Sequence, residues 1–157
     1  MPVKYTWNDG DSFAAADANA VANAINAFGT APTGAVVGTT DTQVLTNKEI
    51  VPRIGTIAST ATPSINLDLY DQYNITALAV AITSVTITGT IVDGQKLLVR
   101  IKDNGTARAI AWGASFVNSG VGTLPTTTVI NKTHFVQFVY DSVLTKWVCL
   151  ASDLAGY

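Results

Sequence analysis

The strongest constraint on this chain is a period of two. Ile65, Leu67 and Leu69 alternate with Asn66 and Asp68, Val85 and Ile87 with Thr86 and Thr88, and Leu97, Val99 and Ile101 with Leu98, Arg100 and Lys102. Successive strand side chains point to opposite faces, so such runs bury one face and leave the other wet. Further strands are expected over 107–112, 126–130, 134–140 and 146–151, with a turn over 140–145. Asn104-Gly105 is a strong short hairpin signal and predicts a hairpin joining the strand that ends at Lys102 to the one over 107–112. Short strands punctuated by turns predict a mainly β fold, a β-sandwich or jelly-roll-like domain over 57–157. The stretch 134–140 is apolar on both faces except for Gln137, as in a central strand or one covered by another subunit. No short-period repeat is visible, so a solenoid is not expected.

The first part of the chain reads differently. Asn8-Asp9-Gly10-Asp11 is a turn, Ser12 is suited to cap a helix, and 14–28 is alanine-rich without Pro or Gly, with Gly29 as its stop. Val21, Ile25 and Phe28 share one face of that short helix, which needs a packing partner to be stable. Residues 29–56 are rich in Thr, Gly and Pro and carry only isolated apolar residues. A spacer of that length is unusual inside a compact domain, and is expected to order by running along a neighbouring chain. The expected organisation is an attachment and intertwining segment over 1–56 and a projecting β domain over 57–157.

Composition points the same way. Hydrophobic residues make up 48% of the chain and charged residues only 13%, about half the usual charged share of roughly 25%. Either Thr, Ser, Asn and Gly cover the surface, or part of it is buried against other chains, which predicts an oligomer. The net charge is −2 and the nine basic residues are scattered, which leaves no electrostatic footprint for nucleic acid. The longest apolar run, 77–82, is too short to span a bilayer. The opening residues lack the basic and apolar regions of a signal peptide, so synthesis in the cytoplasm is expected.

Few residues offer chemistry. The single histidine, His134, has no recognisable nucleophile or acid partner in sequence, and a zinc site needs more His and Cys than one of each. Cys149, inside Trp147-Val148-Cys149-Leu150, reads as a core thiol. Asp68, Asp71, Asp93, Asp103, Asp141 and Asp153 fall mostly in expected turns, where Asp bonds its own backbone. No catalytic, cofactor-binding or metal-binding residue is expected. Trp112, Tyr140 and Trp147 remain as ligand or interface candidates, because a flat ring matches the C–H face of a sugar but equally fills a core.

Three stretches, taken in order, are similar to known sequences. Residues 7–26, WNDGDSFAAADANAVANAIN, resemble the opening of many bacteriophage tail-fibre and minor structural proteins. Residues 38–50, GTTDTQVLTNKEI, resemble a spacer common in them, and 93–108 with 124–130 and Lys146-Trp147 resemble a C-terminal module of phage virion proteins. The resemblance implies a homotrimeric, non-enzymatic part of a virion, with other capsid or tail proteins as partners. The short chain lacks a repetitive shaft, which brings forward a head fibre, a capsid decoration protein or a short tail-tip protein. The alternatives are a carbohydrate- or receptor-binding module facing a host surface glycan and, with few catalytic groups to support it, a virion-associated hydrolase.

Overall fold

The alternating runs fold as strands because one side of each finds a shared apolar interior. The structure, a computed structural model, describes residues 49–157. The expected helix over 14–28, Trp7 and most of the spacer lie outside the described residues. Eight strands follow in order: β1 (Ile54–Ile57), β2 (Ser64–Asn66), β3 (Gln72–Leu78), β4 (Thr86–Thr88), β5 (Lys96–Asp103), β6 (Phe116–Val117), β7 (Thr133–Asp141) and β8 (Lys146–Ser152). Among the described residues the chain is mainly β and has no helix.

Six strands form one sheet in the order β1-β3-β5-β7-β8-β6, and β2 pairs with β4 in a second. The first half of the domain is a coil. β1, β3 and β5 stack in parallel, as do β2 and β4. Backbone bonds continue the stack between the sheets: Ala77 N–H donates to the Ala58 carbonyl, Thr83 to Ala61 and Thr86 to Pro63. Parallel pairing corrects the jelly-roll expectation, which requires antiparallel neighbours. It also shows solenoid-like turns where no repeat was expected. Ile54 faces Gln72, and Gln72 faces Leu98. The second stride is longer than the first, so the sequence carries no fixed period.

The second half is antiparallel. β7 pairs with β5 and then with β8, and β6 closes the far edge in parallel with β8. The β7–β8 turn falls where the sequence places it. Asp141 Oδ1 accepts from the N–H groups of Val143 and Leu144, and Thr145 takes φ 53°.

The expected hairpin at Asn104-Gly105 does not form. Both sides of β5 are taken, by β3 and β7, so 107–112 cannot join it there. Instead 107–112 leaves the sheet, with Ile110 bridging Ile82 and Ala109 bridging Thr127. The expected strand over 126–130 is reduced to that bridge. Gly105, at φ 104°, still makes the turn, with its N–H held by Asp103 Oδ1. The beginning of the domain also moves. The compact unit starts at Glu49, and β1 lies almost wholly within the expected spacer. Arg53 fixes this start: its Nε and NH2 bind Asp71, and NH1 donates to the Asp68 carbonyl.

Both sheets contribute to one core, from Ile65 on β2 to Leu97, Val99 and Ile101 on β5 and Val136 and Phe138 on β7. Each such aliphatic or aromatic side chain contributes about 1.5–3 kcal/mol when fully buried. β5 alternates strictly, with Lys96, Leu98, Arg100 and Lys102 on the outer face.

Candidate functional site

The three aromatic candidates separate into two neighbouring groups. Trp112 is 4% exposed, with its ring centroid 5.5 Å from Phe116 and 5.2 Å from Phe138, and Phe116 meets Phe138 edge-on at 5.0 Å. Its indole N–H donates to the Pro125 carbonyl at 2.8 Å. Trp147 is 1% exposed and packs against its cross-strand partner Tyr140 at 5.2 Å. Trp112 and Trp147 therefore fill the core and present no ring face to a ligand. Only Tyr140 of the three is partly exposed.

The groups that might do chemistry are committed to structure. His134 is fully buried. Its Nε2 accepts from the Val129 N–H at 2.9 Å, which leaves Nδ1 as the donor to the Asp153 carbonyl at 2.7 Å. Both ring nitrogens are thus used, and neither faces a nucleophile. Asp103, also buried, accepts from Thr128 Oγ1, the Gly105 N–H and the Asn131 N–H. Burial pushes its carboxyl up, but these bonds outweigh burial and hold its pKa below the ordinary carboxylate value. Asp103 is a clamp that ties the end of β5 to the 128–131 loop. Cys149 is fully buried, and burial pushes its thiol up, away from the reactive thiolate. Among the described residues no three His, Cys, Asp or Glu side chains gather as a metal site would need.

The chain matches no protein-family model, no curated protein and no solved structure. The site has to be read from its own geometry.

Among the described residues, the outer face of the six-stranded sheet is one part that is not committed to the core. Leu98 and Phe135 lie there half-buried, with Gln137 and Ala151 exposed beside them. Phe135 stacks flat on Tyr157, centroids 5.4 Å apart and planes 5° from parallel. The guanidinium of Arg100 sits 5.9 Å over the same Phe135 ring. The sequence reading passed over Phe135, Tyr157, Arg100 and Gln137 as functional residues. The signal for Phe135 was present: it is in phase with Gln137, the polar residue at the middle of that strand, and so shares its wet face.

Among the described residues no helix is long and apolar enough to cross a membrane.

Proposed function

We propose that this chain is a non-enzymatic structural component of a bacteriophage particle, a homotrimeric fibre-like or decoration-like appendage of the head or tail. The ordered resemblance of residues 7–26, 38–50 and 93–108 to phage proteins supplies the class. The observation that carries the reading to this chain is the apolar surface left over once the core is complete. Ile50, Val51, Val121 and Val143 are each more than 70% exposed, and Ile54, Leu69, Val92, Ile130, Leu144 and Leu154 are about half exposed. Scattered single apolar residues are ordinary on a surface, but here they accompany an unusually low charged share. Association with further chains removes that surface from water, and the free energy released is the mechanism of assembly.

The commitment of His134, Asp103 and Cys149 to structural bonds and burial supports a role without catalysis. In this reading the residues that precede the β domain, 1–48, attach to the particle and intertwine, and the domain that starts at Glu49 is its outward-facing part. The solution mass of the purified full chain, followed by light scattering through serial dilution, tests the assembly. A mass of three chains that resists dilution is expected. A monodisperse monomer at all concentrations overturns it.

A further inference from the structure

The strand directions gather four chain connections at one end of the large sheet. β1, β3 and β5 are parallel, so all three begin at the same end. β7 runs against β5 and β8 against β7, so the β7–β8 turn lies at that end too. The entry into β1, the β2–β3 and β4–β5 connections and this turn therefore form one rim. Adjacent strands lie about 4.8 Å apart, so the four from β1 to β7 span roughly 14 Å.

Each connection carries exposed aliphatic side chains. Ile50 and Val51 precede β1, Leu69 lies between β2 and β3, Val92 between β4 and β5, and Val143 and Leu144 in the turn, and all six are more than half exposed. Lone apolar residues need no explanation on a surface, but a row of them on neighbouring connections marks a contact site. The polar side chains of the same connections are turned to the molecule's own backbone. Arg53 NH1 donates to the Asp68 carbonyl and NH2 to the Asp71 carboxylate, Asp68 Oδ1 accepts from the Thr90 N–H, and Asp93 Oδ1 accepts from the Ser142 N–H. These bonds lace the entry to the β2–β3 connection, that one to the β4–β5 connection, and that one to the turn. Asp141 Oδ1 closes the turn itself. The row is thus held in place before any partner arrives, which lowers the ordering cost of docking.

The occupant follows from where the chain enters. The compact unit begins at Glu49, just before β1, so the chain that precedes it joins the domain at this rim. Whatever holds residues 1–48 is linked through them to this end of the domain, at a raised effective concentration, and a modest apolar contact is then enough. A lipid surface fits poorly. Interfacial sites carry exposed aromatic and free basic side chains, whereas here Tyr70 packs on Tyr73 and Arg53 is bound by Asp71. Because the rim's carboxylates and guanidinium are satisfied internally, the partner needs no matching charge. Resting on the reading of the chain as a particle component, we propose that this rim seats the β domain on an aliphatic, uncharged surface of the particle protein to which residues 1–48 attach.

The test puts the photo-reactive residue benzoylphenylalanine in place of Val143 in the full chain, and separately in place of Ile130, which lies at the opposite end of the sheet, where β7 begins. Particles are banded by density from cells that produce each chain, and irradiated. The expected product is a cross-link from position 143 to a different protein of the particle, absent from position 130. Leu144→Asp should lower the copies retained per particle about tenfold or more, the weight of burying one leucine, with melting temperature and solution mass unchanged. Ile130→Asp should be retained at the parental number. Cross-linking from position 143 only to lipid, to a second copy or to residues 1–48 of the same chain overturns the proposal, as does no cross-link at all. So does retention of Leu144→Asp at the parental number. Each of these results leaves the particle reading standing, because the parent chain is present. Absence of the parent chain from the particles overturns that reading and the seating together.

Discussion

Trp112→Ala sets the core reading of that ring against a ligand-binding one. A large aromatic side chain removes about 150–250 Å² from water on folding. At about 25 cal/mol per Å² that is worth about 4–6 kcal/mol as an upper bound. Alanine retains a small part of that. Phe116 and Phe138, which flank the ring, are held by their own strands, so the space closes only partly. The Pro125 carbonyl also loses its indole donor, which costs about 1 kcal/mol. The net loss is about 3–5 kcal/mol, the range found for removing large buried aromatics. That is a large share of the roughly 5–15 kcal/mol that holds a domain folded. Urea unfolding, followed together by tryptophan fluorescence and circular dichroism, measures it. The midpoint should fall sharply with an unchanged slope, and Trp112→Phe should lose about 1–2 kcal/mol, keeping most of the ring but not the N–H. A loss below about 1 kcal/mol for Trp112→Ala would refute the packing argument.

Three further outcomes follow from the same geometry. His134→Ala orphans the Val129 N–H and the Asp153 carbonyl inside the domain and should cost about 2–5 kcal/mol in the same unfolding assay; a cost within the noise would mean that water reaches both groups. Gly122→Ala would drive a methyl group into the backbone of Cys149 and Leu150, and should destabilise by about 1–3 kcal/mol; a neutral result would show that the 119–123 loop stands away from β8. Asp71, hydrogen-bonded by the Arg53 side chain and backbone, is held at about 2. A carboxyl whose pKa is lower folded than unfolded stabilises fully above its unfolded value, and the benefit disappears as pH falls through the folded one. The melting-temperature gap between the parent and Arg53→Gln should therefore narrow from about pH 4 to about pH 2. A gap independent of pH across that window would show that the pair is broken in solution. Both side chains are substantially exposed, so the pH-dependent part should be small.

Much of the β character was legible because alternation is local. The strands around Leu97–Ile101 and His134–Tyr140 and the β7–β8 turn follow from side-chain phase and from Asp141 in the turn. Pairing partners were not legible, because they depend on residues far apart in sequence. Asn104-Gly105 signals a backbone turn, not which strand comes next to β5, and β7 takes that edge from 31 or more residues away. The stacked coil escaped notice because its strides differ in length. β1 was missed because Ile54 and Ile57 are not in alternating phase and their placement comes from Arg53 reaching forward to Asp71. For the site, residue type misled where phase did not. Tryptophan drew attention, yet Trp112 and Trp147 point inward, while Phe135 and Gln137 point outward together.

The proposed role is tested most directly by the protein content of purified phage particles from cells that produce this chain. Quantitative mass spectrometry of density-banded particles should find the chain at a fixed copy number per particle, divisible by three, retained through high-salt washing as expected for contacts that are mainly apolar. Its absence from intact particles that carry their capsid and tail proteins would contradict the account.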